Sequence, residues 1–190
     1  MPEPLLRQAH PEDADAAVPL LVEAMDAQAL QLAGAGSLRA AWPLFRELFV
    51  GRDNRYSHAH VRVLDQGGGA VAAILAYPGR DEPALFAATR ALLRGRDPSR
   101  VLPYEPESAP DEYYLDALAV APSQRGRGVA AQMIEAMCAE ALGAGHARIG
   151  LLVDEAKPGV KRLYEKLGFA VDGERMLAGR RHEHMVRPLR

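Results

Sequence analysis

One stretch constrains the fold of this 190-residue chain more than any other. An apolar run over residues 113–120 is followed by Pro122 and then by the sequence Arg125-Gly-Arg-Gly-Val-Ala130. The apolar run predicts a strand, and apolar residues at helical spacing predict a helix over residues 127–142. Glycines at a helix start let the backbone approach a ligand closely, and the free N–H groups there favour an anion. This order of strand, glycine turn and helix therefore predicts a site for phosphate groups.

The rest of the chain alternates between helix and strand patterns. Six further strands are predicted, over residues 4–9, 58–65, 70–77, 147–153, 169–171 and 182–189. Four further helices are predicted, beginning at Pro11, after Ser37, at residue 83 and at Pro158. Residues 96–111 contain four prolines and no clear period, which predicts a long loop. The pattern is that of an α/β (α+β) protein.

Composition excludes several classes of function. A formal net charge of -2 predicts no overall electrostatic affinity for nucleic acid or membrane. The single cysteine, Cys138, lies on the apolar stripe of a helix, which predicts core packing and excludes an internal disulfide. The N-terminal residues lack the pattern of a signal peptide, and no apolar run approaches the roughly 20 residues that span a bilayer. A soluble, cytoplasmic protein is expected.

A second motif narrows the kind of protein to which the glycine turn belongs. The sequence Leu163-Tyr-Glu-Lys-Leu-Gly-Phe169 follows the glycine turn after one helix and one strand. The pair of motifs resembles the GNAT family of acyl-coenzyme A-dependent N-acetyltransferases, whose glycine pattern is matched by Arg125, Gly128 and Ala130. The resemblance implies a mixed, mostly antiparallel sheet flanked by helices.

The resemblance also implies a domain organisation and a co-substrate. Residues 1–190 would form a single GNAT domain, with residues 112–171 as the acetyl-coenzyme A-binding core and residues 79–111 as an insert that carries a helix. Two sets of residues would hold the donor: the backbone of Arg125, Gly126, Arg127, Gly128, Val129 and Ala130 on the pyrophosphate, and that of Leu118, Ala119 and Val120 on the pantetheine arm. The alternative is a basic turn that only caps a helix.

Tyr164 is the first candidate catalytic residue. By resemblance, its hydroxyl points at the thioester sulfur and protonates the departing thiolate, a role that suits a phenol. The alternative is a tyrosine packed in the core, because Tyr164 shares a helix face with apolar residues. The position seven residues earlier, where the family often has asparagine, is Lys157, which leaves the local capping in doubt.

A protonated amine needs a group that accepts its proton. Asp116 is the first candidate by position, and strand alternation predicts that it shares a face with Tyr114 and Leu118. Glu112 could act through a water molecule, and the alternative for both acids is a surface or salt-bridged carboxylate. Two acids of the proline-rich loop, Glu105 and Glu107, could attract a cationic substrate.

The histidines offer a weak metal pattern. His58 and His60, and likewise His182 and His184, are predicted in pairs on one strand face, but no further ligand set completes either pair. We therefore expect no metal. The predicted function is acetyl transfer from acetyl-coenzyme A to an amine of a small molecule or a peptide, in a protein that could form a homodimer. The alternative is a non-catalytic module that binds or senses acyl-coenzyme A.

Overall fold

A computed structural model describes residues 5–67, 69–99 and 101–190. Its strands are β1 (Leu5–Gln8), β2 (Val61–Asp65), β3 (Ala70–Pro78), β4 (Tyr113–Val120), β5 (Arg148–Asp154), β6 (Ala170–Leu177) and β7 (Arg180–Pro188). Its helices are α1 (Ala14–Met25), α2 (Ala27–Ala33), α3 (Leu38–Val50), α4 (Glu82–Arg96), α5 (Val129–Gly143) and α6 (Pro158–Lys166). The predicted helix at residue 83 is confirmed by α4, and the predicted loop follows it.

The strands form one mixed sheet in the order β1-β2-β3-β4-β5-β7-β6. Every pairing is antiparallel except that of β4 with β5, which is parallel. This arrangement confirms the predicted fold class. The parallel pairing is short, because it joins only Tyr113, Tyr114 and Leu115 to residues 149–151, and the two strands separate beyond it.

The two faces of the sheet carry separate apolar cores. On one face α1 and α3 pack with side chains such as Val18 and Phe45, and on the other α5 packs with Met133 and Met137. Cys138 lies buried in the second core, as predicted. The helices follow apolar stripes that face the sheet, so burial of these stripes supplies most of the driving force for this layered fold.

A β-bulge in β4 decides which side chains face the site. β3 pairs Ala76 with Leu115 and Leu75 with Ala117, so Asp116 has no partner across the ladder. The extra residue shifts the alternation of side chains. Tyr114 and Ala117 consequently pack in one core and Leu118 packs against the other. The expectation that Tyr114 and Leu118 share a face was therefore wrong.

The segment that precedes β2 also differs from the prediction. Residues His58–His60 form one turn of 3₁₀-helix, and β2 begins only at Val61. The side chain of Ser57 accepts a hydrogen bond from the amide of Ala59 and holds this turn at its start. His58 and His60 therefore do not form a pair on one strand face. The ring Nδ1 of His58 lies 2.8 Å from the carbonyl oxygen of Phe49, inside the protein.

Candidate active site

The separation of β4 from β5 leaves backbone groups of β4 facing an open gap. The amide of Ala121 donates to the carbonyl of Val71, next to the β3 ladder, over 2.8 Å. Alternate residues of an antiparallel strand direct their N–H and C=O groups to opposite edges. The backbone groups of Leu118 and Val120 therefore point away from β3 and into the gap. An extended, amide-bearing ligand could pair with them as another strand would.

The glycine turn lies at the end of this gap and keeps its amide groups open. Gly126 and Gly128 have φ angles of 73° and 79°, a region in which glycine avoids the strain of a side chain. A Cβ at either position would meet no atom within 4 Å, so the surface beside them is open. Among the residues that the structure describes, no acceptor pairs with the amides of residues 126–130. The helix α5 starts here, and its dipole adds positive potential.

The two arginines of the turn have different surroundings. Arg125 is exposed but has partners within the protein, because its guanidinium donates to the carbonyl of Val120 and to Glu23, each over 2.9 Å. The amide of Arg125 donates to the carbonyl of Pro122. Arg127 is exposed, and within the described ranges it forms no ion pair. Its charge is therefore available to a ligand at the turn.

A cleft of about 190 Å³ joins the gap to the first core face. Its lining includes Leu118 and Asp116 of β4, Tyr164 of α6, Lys157 and Glu107. Tyr164 packs edge-on against Phe169, with ring centroids 5.8 Å apart. Burial raises the pKa of its phenol to about 12, so the hydroxyl keeps its proton at neutral pH. Among the described residues, nothing hydrogen-bonds to that hydroxyl.

A buried guanidinium holds two of the carboxylates that line the cleft. Arg55 is 1% exposed and contacts three carboxylates: Asp116 at 2.6 Å, Glu107 at 2.5 Å and Glu82 at 3.9 Å. The hydroxyl of Tyr77 adds a 2.7 Å hydrogen bond to Asp116. Three acids around one cation leave an excess of negative charge at a place with little exposure to solvent. One of the acids is consequently easier to protonate than usual.

That acid is Glu107. Burial is the main cause that raises its pKa to about 7, and the neighbouring carboxylates of Asp116 and Glu82 act in the same direction. Its Oε2 accepts from the Tyr114 hydroxyl at 3.0 Å, and its Oε1 accepts from Gln28 at 2.8 Å. A carboxyl group with a pKa near 7 that lines a cleft is suited to accept a proton at neutral pH. The sequence pointed only to attraction of a cation by Glu107.

Comparison with known proteins decides the family. The sequence pattern of the Acetyltransferase (GNAT) family matches residues 31–169, which is most of the chain. The chain belongs to the GNAT acetyltransferase family. It is therefore an acyltransferase by family, as expected from its two motifs. No curated protein sequence matches it.

Solved structures agree with this assignment. A crystal structure described as an acetyltransferase is 27% identical, with a TM-score of 0.80 over 98% of this chain and 100% of the other. An N-acetyltransferase from Staphylococcus aureus Mu50 is 24% identical, with a TM-score of 0.83 over 96% and 99% of the two chains. The ribosomal-protein-S18-alanine N-acetyltransferase from Escherichia coli is 19% identical, with a TM-score of 0.59 over 98% and 94%. The last two matches show a shared GNAT fold.

In this GNAT acetyltransferase, Asp116 lies in the cleft with one oxygen unused. Its Oδ2 accepts from Arg55 and Tyr77, whereas its Oδ1 is buried and has no hydrogen-bond partner among the residues that the structure describes. The position at the bulge directs this carboxylate to the same face as Tyr114. A buried carboxylate oxygen without a partner is costly unless a ligand or water supplies a donor.

The structure places Glu112 away from this cleft. Its carboxylate accepts from the amide of Ala109 at 2.9 Å and lies 3.0 Å from the ring Nε2 of His184. It also fills the space that a side chain on Gly150 would need. Glu112 is fully buried and is not part of the lining of the cleft around Tyr164. Its contacts join the start of β4 to β5 and β7.

The remaining features of this GNAT protein concern metals and membranes. His182 lines the cleft, whereas His184 on the same strand is buried against Glu112. Among the described residues, no group of three side chains could hold a metal ion. The same residues include no helix long and apolar enough to cross a bilayer.

Proposed function

We propose that this chain transfers an acetyl group from acetyl-coenzyme A to a primary amine by direct attack. One observation carries the proposal: the open edge of β4 leads from the free amides of the glycine turn to a cleft that holds both Tyr164 and Glu107. The first part suits a long phosphorylated thioester, and the second supplies the two proton transfers that the reaction needs.

The donor would be held mainly by backbone groups. The amides of residues 126–130 and the dipole of α5 suit the pyrophosphate. The N–H and C=O groups of Leu118 and the N–H of Val120 suit the two amides of the pantetheine arm, since the carbonyl of Val120 already accepts from Arg125. An amide N–H of this same stretch, near Leu118, would stabilise the negative charge that develops on the thioester oxygen. Arg127 would add a charge at the outer end.

Glu107 is the proposed proton acceptor. The ammonium group of the acceptor first loses one proton to solvent, and the neutral nitrogen then attacks the carbonyl carbon while Glu107, directly or through one water molecule, takes a second proton from it. With a pKa of about 7, a large fraction of Glu107 is ionised at neutral pH and can accept that proton. As the carbon–sulfur bond breaks, the hydroxyl of Tyr164 donates its proton to the departing sulfur. The products are an amide and free thiol, and transfer of the proton from Glu107 to the Tyr164 phenolate through solvent returns both groups to their starting forms.

In this proposal Asp116 binds the acceptor amine, whereas its position in the sequence suggested that it accepts the proton. Its Oδ2 is committed to Arg55, but its free Oδ1 can accept from the ammonium group of the incoming amine. Asp116 therefore binds and orients the acceptor. Glu112 has no part in the proposed reaction, because its carboxylate is enclosed by His184, Ala109 and Gly150.

The test is thiol release with a broad amine panel. The purified full-length chain is mixed with acetyl-coenzyme A and with amino-acid amides, polyamines, aminoglycosides and short peptides, and free thiol is followed by absorbance. Amine-dependent thiol release, with the acetylated amine seen by mass spectrometry, is the expected result. Binding of acetyl-coenzyme A by calorimetry without turnover of any amine would favour the non-catalytic sensing module instead.

A further inference from the structure

A second, smaller pocket lies beside the cleft and shares Glu107 with it. It has a volume of about 40 Å³ and shares Gln28, Glu107 and Leu177 with the cleft. Because Glu107 lines both spaces, the pocket borders the place where the proposed acceptor amine would lie. We call this space the side pocket. This inference rests on the function proposed above.

The walls of the side pocket are mostly apolar. Its apolar lining consists of Leu32, Tyr56, Phe86, Leu102, Pro103 and Leu177. They come from α2, the segment before β2, α4, the loop after α4 and β6. Phe86 and Leu102 are 8% and 6% exposed, so the pocket is closed towards solvent on these sides.

The polar groups of the side pocket already have partners within the protein. Arg55 is committed to its three carboxylates, and Gln28 donates to Glu107. Glu105 accepts from the amide of Ala178 over 3.0 Å. A polar group that entered the pocket would lose its hydrogen bonds to water and gain few in return. An aliphatic group forms no hydrogen bonds to water and would therefore lose none on entering the pocket.

The volume sets the size of that group. One water-sized group needs roughly 10–15 Å³ of such space, so about 40 Å³ accommodates about three or four heavy atoms. We infer that the acceptor is a primary amine that carries a branched aliphatic group of about four carbons, which occupies the side pocket while Asp116 and Glu107 hold the amine. An aromatic ring exceeds this space.

The experiment compares acceptors that differ only in the side group. Leucine, asparagine, glycine and phenylalanine amides share the same primary amine, and the leucine and asparagine side chains have nearly the same shape. We expect kcat/KM for leucine amide to exceed that for each of the other three by at least about tenfold, because single small groups in apolar pockets discriminate by about 10–200-fold. The readout is thiol release at saturating acetyl-coenzyme A.

A matched pair of variants tests whether the side group of the acceptor occupies the side pocket. Leu102→Phe fills the side pocket and should reduce the ratio of leucine amide to glycine amide activity by about tenfold. Leu92→Phe makes the same change at a leucine of α4 that is 49% exposed and outside the pocket, and should leave the ratio unchanged. Equal effects of the two variants on the ratio would overturn the assignment of the pocket.

The outcomes separate the inference from the proposed function. Equal activity on leucine, asparagine and glycine amides overturns the side-pocket inference and leaves acetyl transfer standing. Acetylation of other amines in the broad panel, but of none of the four amides, does the same. Failure to acetylate any amine overturns the proposed function, and the inference with it.

Discussion

In the described part of the chain the amides of residues 126–130 in the glycine turn have no acceptor, whereas the buried Arg55 already contacts Asp116, Glu107 and Glu82. The first region is made of backbone groups that gain their partners when an anion binds. The second is a network of side chains that is almost complete without a ligand, apart from Oδ1 of Asp116. In the proposed function the open region supplies affinity for the donor, and the closed region supplies proton transfer and choice of acceptor.

The largest expected effect concerns the closed region. Glu107→Gln keeps the shape of the side chain and removes the proposed proton acceptor, so kcat should fall by about 10²–10⁴-fold. In the unchanged chain, activity should rise with pH and level off above about 7, because the pKa of Glu107 is raised to about 7 and only its ionised form accepts a proton. The variant should lack this rise.

A carboxylate outside the cleft provides the control. Glu135→Gln removes an exposed acid of α5 that pairs with Arg187, and should leave both rate and pH profile unchanged. A Glu107→Gln variant with the original pH profile would show that another group accepts the proton.

The next largest effect is expected on removal of the buried guanidinium of Arg55. Arg55→Met leaves Asp116, Glu107 and Glu82 buried without their partner, which should lower the free energy of unfolding by about 3–5 kcal/mol. Arg46→Met breaks an exposed pair with Asp15 and should cost less than about 1 kcal/mol. Urea denaturation of both variants measures the difference. Similar values would mean that the network adds little to stability.

Tyr164→Phe tests the proton donor at the junction of the two regions. The ring and its packing on Phe169 are kept, so stability should change little, while kcat should fall by about 10²-fold. Because burial raises the pKa of Tyr164 to about 12, the phenol is protonated throughout the range of pH 6 to 10 and the loss should be the same at each pH in it. Unchanged kcat would assign Tyr164 to packing.

A smaller effect is expected at the open region. Gly128→Ala and Gly145→Ala both place a side chain at positive φ, with no atom near the new Cβ, so each should cost about 1–2 kcal/mol of stability. Gly128 begins α5 at the proposed phosphate site, whereas Gly145 follows the other end of that helix. Only Gly128→Ala should weaken binding of coenzyme A, by about tenfold in calorimetry. Equal affinities would place the pyrophosphate elsewhere.

The smallest effect is expected for Arg127→Gln. Its exposed charge should contribute a few-fold to the KM for acetyl-coenzyme A at low salt, and this difference should vanish near 0.5 M salt because exposed charges are screened. Steady-state kinetics at two salt concentrations measure it. A difference that persists at high salt would indicate a direct, desolvated contact.

The open region could be predicted from the sequence because it is local. The strand, the glycines and the start of α5 are contiguous in the chain, and their function depends on backbone groups that any such sequence presents. The sheet was also largely predictable, but most of β6 was missed, since its side chains are mostly exposed and show no apolar alternation. An edge strand with little burial leaves a weak signal in the sequence.

The closed region could not be predicted, because its parts are distant in the chain. Arg55 lies 52 positions from Glu107 and 61 from Asp116, and Glu107 belongs to a loop without any period. The bulge at Asp116 then shifts the side chains of β4 by one position, which no pattern in that strand indicates. Charged residues in a loop give no sign of being buried until the fold brings their partners together.

The short parallel pairing of β4 with β5 has a consequence for the stability of the folded state. Because β4 pairs with β5 only at Tyr113, Tyr114 and Leu115, few hydrogen bonds join the two halves of the sheet. A donor that binds beside Leu118 and Val120 as proposed would add hydrogen bonds next to this short pairing, as a further strand would. At a donor concentration about 100 times its Kd, the gain is about 2.7 kcal/mol. If the donor binds as proposed, the lifetime of the protein against unfolding and proteolysis would depend on the supply of its own substrate.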